Sequence, residues 1–208
     1  MDRVNNLSPD QESLAQRLSL ITGRLFEGRD LIPARRQGRR SVLYQVADSY
    51  AVKACFGDYR TEKQALLLLA DCSFAPKLLG FDDETQAIFL EWIPHLALDE
   101  QISREPQALD PTSLYRALCE LLIEFYDHAA WDGDWKLESL FWNGERLLKV
   151  DYGKVEFGSR VYRAAETRRQ QLQKKYLTFQ ESQVSVPDWE IFSEEFKAED
   201  LRLLRSLD

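Results

Sequence analysis

The sequence predicts an α+β fold with a strand-rich first half and a helical second half. Three observations carry this: paired short apolar runs within residues 41–55 and 76–92, a strong helical stripe after residue 110, and a change of character at Pro94. At 208 residues and 44% hydrophobic the chain is long enough to bury a sizeable core, and too apolar and aromatic for intrinsic disorder.

Each element has its own local cause. Ser8-Pro9-Asp10-Gln11 combines an N-cap residue, a proline at the first helical position, an early acid and a capping-box glutamine. With Leu14, Leu18 and Ile21 at helical spacing, it predicts a helix from about Pro9 to Arg24. After a loop holding Gly28 and Pro33, the runs 41–46 and 50–55 flank Ala47-Asp48-Ser49 and read as an antiparallel hairpin. Residues 59–70, with Ala65, Leu66 and Leu69 on one face, read as a helix, and 76–81 and 87–92 as strands about an Asp82-Asp83-Glu84 turn. Asp110-Pro111 opens a helix striped by Leu114, Leu118, Leu121 and Phe125. Asn143-Gly144 then turns a hairpin between 140–142 and 147–150. Two further helices are expected over 159–176, where basic residues dominate, and 192–207.

Composition excludes several classes. Lys and Arg total 27 against 35 Asp and Glu, a net charge of −8, which argues against a general nucleic-acid or anionic-membrane binder. No window approaches the roughly 18 apolar residues of a membrane span, and residues 1–18 lack a signal-peptide core. Cys55, Cys72 and Cys119 are widely spaced and form no metal-ligand or disulfide pattern. A cytoplasmic protein is the expectation; export as an effector by a specialised route is compatible with it.

The segment Asp132-Gly133-Asp134-Trp135-Lys136-Leu137-Glu138-Ser139, followed by a hairpin ending in Val150-Asp151-Tyr152-Gly153, brings two glycine-adjacent acids into one region. Metal-assisted phosphoryl transfer uses such a pair: one carboxylate orients the attacking hydroxyl and the other holds Mg²⁺ against nucleotide phosphates. The run 134–139 resembles the protein-kinase catalytic loop D-L-K-P-E-N, and Asp151-Tyr152-Gly153 resembles D-F-G. Upstream, Ala51-Val52-Lys53 is similar to the V-A-I-K strand, and Glu62 to the helix glutamate that pairs with its lysine. Residues 75–81 and 89–94 resemble strands four and five and the hinge. The resemblance covers residues 38–153, and the four elements fall in family order.

The resemblance implies an α+β, bilobed protein-kinase-like fold: an N-terminal helical extension (1–34), a strand-rich N-lobe and hinge (35–94), and a reduced helical C-lobe (95–208). It is nearest to minimal bacterial and archaeal kinase-like proteins, including RIO-like and lipopolysaccharide-kinase-like groups, because no A-P-E element follows Gly153. It further implies ATP and Mg²⁺ as cofactors. Lys53, held by Glu62, would grip the α- and β-phosphates, Asp151 and Ser139 would bind metal, and Asp134 would act on the acceptor hydroxyl. Lys136 would meet the γ-phosphate, its rival reading being a solvated loop lysine. Backbone around Glu91 and Ile93 would hold adenine. The glycine-rich loop is reduced to Gly38-Arg39-Arg40-Ser41, where Arg39 and Arg40 would supply charge.

Besides the single glycine of that loop, two departures bear on activity: Asp132 stands where the family has histidine, and Ser139 where it has asparagine. A hydroxyl is a weaker Mg²⁺ ligand than an amide oxygen. Asp132 reads as a loop-organising or cap residue. The expected function is therefore transfer of a γ-phosphoryl group to a hydroxyl of a protein or a sugar, with protein slightly favoured. Its rivals are a pseudokinase that binds nucleotide or a partner, and an adaptor that docks through its charged helices.

Overall fold

The computed structural model describes residues 10–35, 40–105, 109–132 and 136–157. The helices expected over 159–176 and 192–207 lie outside the described residues, as do Gly38, Arg39 and Asp134. The chain is α+β with an antiparallel sheet, and it divides into two compact units. The first comprises residues 1–95, 132–134 and 149–155; the second takes residues 96–131, 135–148 and 156–208. Among the described residues no helix is long and apolar enough to cross a membrane.

In the first unit the chain runs α1 (Gln11–Thr22), β1 (Leu31–Pro33), β2 (Ser41–Val46), β3 (Tyr50–Cys55), α2 (Tyr59–Leu68), β4 (Leu78–Asp82) and β5 (Ala87–Glu91). The sheet order is β1-β2-β3-β5-β4. The β2–β3 hairpin pairs over its whole length, from Ser41 opposite Cys55 to Val46 opposite Tyr50, with Ala47 at positive φ in the turn. That register follows from apolar alternation, since a one-residue slip would turn the buried set to the wrong face.

One face of the sheet is covered by α1. Leu14, Ala15 and Leu18 pack with Leu31, Tyr44, Val46, Val52, Ala54, Ala87 and Phe89 in one buried cluster. Each fully buried leucine contributes about 1.5–3 kcal/mol relative to exposure. Helix α1 is thus part of the sheet's core. Its N-cap is Asp10, whose side chain accepts from the Glu12 amide at 3.2 Å, two residues later than Ser8, the expected N-cap. Glu12 Oε2 accepts from the Gly28 amide at 2.8 Å, and a Cβ at Gly28 would stand 3.0 Å from that oxygen, so the loop closes this tightly only with glycine.

Three further elements of this unit differ from expectation. Strand β1 was not expected: three residues ending in proline carry no alternation signal, and Pro33 is tolerated because β1 is an edge strand. Strand β4 begins at Leu78 rather than Pro76, and its register against β5 shifts between Leu78 and Gly80. Helix α2 ends at Leu68, one turn contributing Leu69 as its cap.

The second unit contains α3 (Leu98–Arg104), α4 (Pro111–Asp127) and most of a hairpin formed by β7 (Leu140–Trp142) and β8 (Leu147–Lys149), with short strands β6 (Ala130–Asp132) and β9 (Val155–Phe157) at its boundaries. Helix α3 buries only Leu98 and Ile102, a stripe too short to announce itself in sequence. In α4, Leu114, Leu118, Leu121 and Phe125 are buried as their spacing predicts. Asn143 Oδ1 accepts from the amides of Glu145 and Arg146 at 3.0 and 2.9 Å, and Gly144 takes φ +98°, closing the β7–β8 turn.

Candidate active site

Period-two geometry sends Lys53 to the sheet face opposite Val52 and Ala54, away from the α1 core. Helix α2 buries Tyr59, Glu62, Ala65 and Leu66, an i, i+3, i+4 stripe that carries a carboxylate among apolar neighbours. The two meet: Lys53 Nζ donates to Glu62 Oε1 and Oε2 at 2.6 and 2.7 Å. Their side chains are 14% and 4% exposed, so each charge depends on the other for its burial.

The opposite edge of α2 is tethered too. Asp83, in the β4–β5 turn, accepts from Tyr59 Oη at 2.6 Å and from Lys63 Nζ at 2.6 and 2.9 Å. The Lys63 ammonium also lies 4.0 Å from the Phe81 ring centroid. The Lys63 bond, followed by the Tyr59 bond, holds the Asp83 carboxyl below its ordinary range, while burial followed by Asp83 raises the Tyr59 phenol above its own. These contacts fix the roll of α2 and hence where Glu62 points.

Asp151 joins the pair from the segment after β8. Its Oδ1 lies 3.3 Å from Lys53 Nζ, its side chain is 55% exposed, and its backbone is left-handed at φ +66°. Burial works against the Lys53 ammonium, but Glu62 and then Asp151 outweigh it and hold the lysine above its ordinary range. The nearby Cys55 thiol is pushed up to about 12, by burial first and by the Glu62 carboxylate second.

Gly153 packs on the start of α2, where a Cβ would meet Asp58 Cβ at 3.2 Å. Asp58 in turn accepts from Arg40 Nη1 at 3.1 and 3.3 Å. Arg40 is therefore held at the α2 N-terminus by a carboxylate.

The remaining sequence candidates divide as follows. Glu91 and Trp92 commit their amides to Lys77 O and Ser49 O, both at 2.9 Å, whereas no described residue takes the Ile93 amide. In the second unit, Lys136 is exposed with its ammonium 3.8 Å from Glu138, and Ser139 is buried in a 3₁₀ turn over Leu137–Ser139. Asp134 lies outside the described residues.

Sequence reasoning missed Lys149. Its side chain and that of Asp132 are both fully buried, and Lys149 Nζ lies 2.6 Å from Asp132 Oδ2. A usable signal existed: Lys149 shares strand parity with buried Leu147, which places a lysine on an inward face.

Among the described residues no group of three or more His, Cys, Asp or Glu side chains is arranged to hold a metal by itself. Mg²⁺ is commonly held by one or two carboxylates together with phosphate oxygens and waters. A half-exposed hard carboxylate such as Asp151, beside a buried ammonium, suits that mode.

No protein-family model and no curated protein matches the chain in sequence. Among solved structures it is similar to WbdD, known from a 2.2 Å crystal structure, with a TM-score of 0.55 and 12% identity over 80% of this chain and 45% of WbdD. The chain thus spans less than half the length of that protein. At this identity the likeness is one of fold, and it supports a kinase-like fold.

Proposed function

We propose that this chain is a kinase-like phosphotransferase of bilobed design that uses ATP and Mg²⁺ to phosphorylate a hydroxyl, with a protein side chain slightly favoured over a sugar. The observation that carries the reading is the meeting of Lys53, Glu62 and Asp151, from three separate segments, in the order that the kinase resemblance requires. The likeness to WbdD, which is one of fold, is consistent with this reading.

In this reading Glu62 keeps the Lys53 ammonium extended and charged, so that it grips the α- and β-phosphates. Asp151 would hold Mg²⁺, which when bound neutralises charge on the phosphates. Asp134 would orient the acceptor hydroxyl and take its proton; Lys136 would contact the γ-phosphate, with Arg39 or Arg40 covering it. Backbone near Glu91 and Ile93 would receive adenine. Positioning and electrostatics carry most of the catalysis in such a loose transition state.

Burial of Ser139, where the family has asparagine, favours a second reading: a pseudokinase that binds nucleotide without turnover. Melting temperatures of wild type and Asp151→Asn with ATP, with and without Mg²⁺, run beside γ-phosphate label transfer, separate the two. An active kinase shows Mg²⁺-dependent stabilisation, lost in the variant, together with transfer. Stabilisation without transfer selects the pseudokinase, and no nucleotide response overturns both.

A further inference from the structure

We propose that the buried Asp132–Lys149 pair is a positioning device for Asp151, setting the backbone that aims its carboxylate. The inference rests on the phosphotransferase reading, in which Asp151 is the Mg²⁺ ligand. Lys149 Nζ donates to the carbonyl oxygens of Val150 and Asp151, both at 3.1 Å, while Asp132 Oδ2 stands 2.6 Å away. One side chain therefore grips both carbonyls around the Asp151 residue, with a carboxylate counter-charge beside it inside the protein.

Lys149 is itself held fast. Its amide donates to Phe74 O at 2.8 Å, and its carbonyl accepts from the Tyr152 hydroxyl at 2.6 Å. The Lys149 ammonium also lies 4.9 Å from the centroid of the fully buried Tyr152 ring. These contacts surround a segment that holds Asp151, a non-glycine residue, at φ +66°. Such a conformation persists only where its surroundings over-determine it. Asp132 stands at the end of β6, so the ion pair connects that strand with the segment that carries Asp151. Asp132 acts here through Lys149 and touches no substrate. This gives a role to the acid that replaces the family's histidine.

The test compares the wild-type chain with Asp132→Leu/Lys149→Met, which removes both charges while keeping apolar bulk, and with Asp132→Asn/Lys149→Gln, which keeps neutral hydrogen-bonding groups. Thermal stabilisation by saturating ATP is followed as Mg²⁺ is titrated, with the shift from ATP alone as the control for Lys53. The expected result is a Mg²⁺ midpoint raised about 10- to 100-fold in the apolar double variant, less in the polar one, and an unchanged response to ATP alone, as for other partners that orient a metal ligand. A purely structural pair would lower the starting melting temperature and leave the Mg²⁺ midpoint in place, which overturns the proposal alone. Absence of any ATP and Mg²⁺ response in wild type overturns the phosphotransferase reading, and this inference with it.

Discussion

Asp151 Oδ1 stands 3.3 Å from the ammonium of Lys53, 98 positions earlier in the chain, and the same ammonium reaches both oxygens of Glu62 on α2. A single buried cation thus organises two carboxylates of very different exposure.

Removing the cation alone strands Glu62 in an apolar stripe. Lys53→Met is expected to cost about 3–5 kcal/mol in urea denaturation, whereas Lys53→Met/Glu62→Leu recovers most of that loss. A single-variant cost below about 1 kcal/mol, the range of exposed pairs, would contradict the buried geometry.

The left-handed backbone at Asp151 separates conformational from chemical effects. Asp151→Gly is expected to be more stable than Asp151→Ala by about 1–2 kcal/mol, because only glycine takes positive φ without steric penalty. Under the proposed function, both variants are expected to lose the Mg²⁺-dependent part of nucleotide stabilisation. Equal stabilities of the two would mean that this φ is not maintained in solution.

Helix α1 is expected to be indispensable for the sheet. Leu18→Ala should cost about 2–5 kcal/mol, as for other fully buried leucines, while Leu20→Ala at the exposed position should change stability by less than about 0.5 kcal/mol. Similar effects of the two would detach α1 from the core.

The tether between α2 and the β4–β5 turn carries a pH signature. Asp83 has its carboxyl lowered below 3.8, so its contribution is present above that value and is lost as pH falls through the lower, folded-state value. Stability of wild type over Asp83→Asn should therefore hold steady from pH 7 to 5 and fall away on acidification below 3.8. A gap that widens with acid would reverse the assigned sign.

Cys55 is expected to resist alkylation in the folded protein. Its thiol is buried and pushed up to about 12, leaving almost no thiolate at neutral pH. Mass spectrometry after iodoacetamide at pH 7.5 should find Cys55 unmodified until denaturant is added; rapid native labelling would show that the end of β3 opens.

Much of this was legible locally. The β2–β3 hairpin announced itself through period-two alternation around a short polar turn, and α4 through its apolar stripe. Lys53, Glu62 and Asp151 could be named because their order and neighbours resemble an established pattern. Strand β1 and α3 escaped notice because three and seven residues are too few to show a period. The capping signal at Ser8-Pro9 was read two positions early, since Asp10 supplies the side-chain acceptor.

The amino-acid sequence by itself determined which residues alternate, which lie on one helical face, and which charged types recur in kinase order, because these depend on neighbours a few positions away. Only the tertiary structure decided that α1 completes the sheet's core, that Arg40 is held by Asp58, and that Lys149 lies buried against Asp132. A lysine on a strand looks solvated until a carboxylate from a distant segment compensates its desolvation. The Coulombic partner that makes burial affordable is brought by the fold, and no local pattern records it.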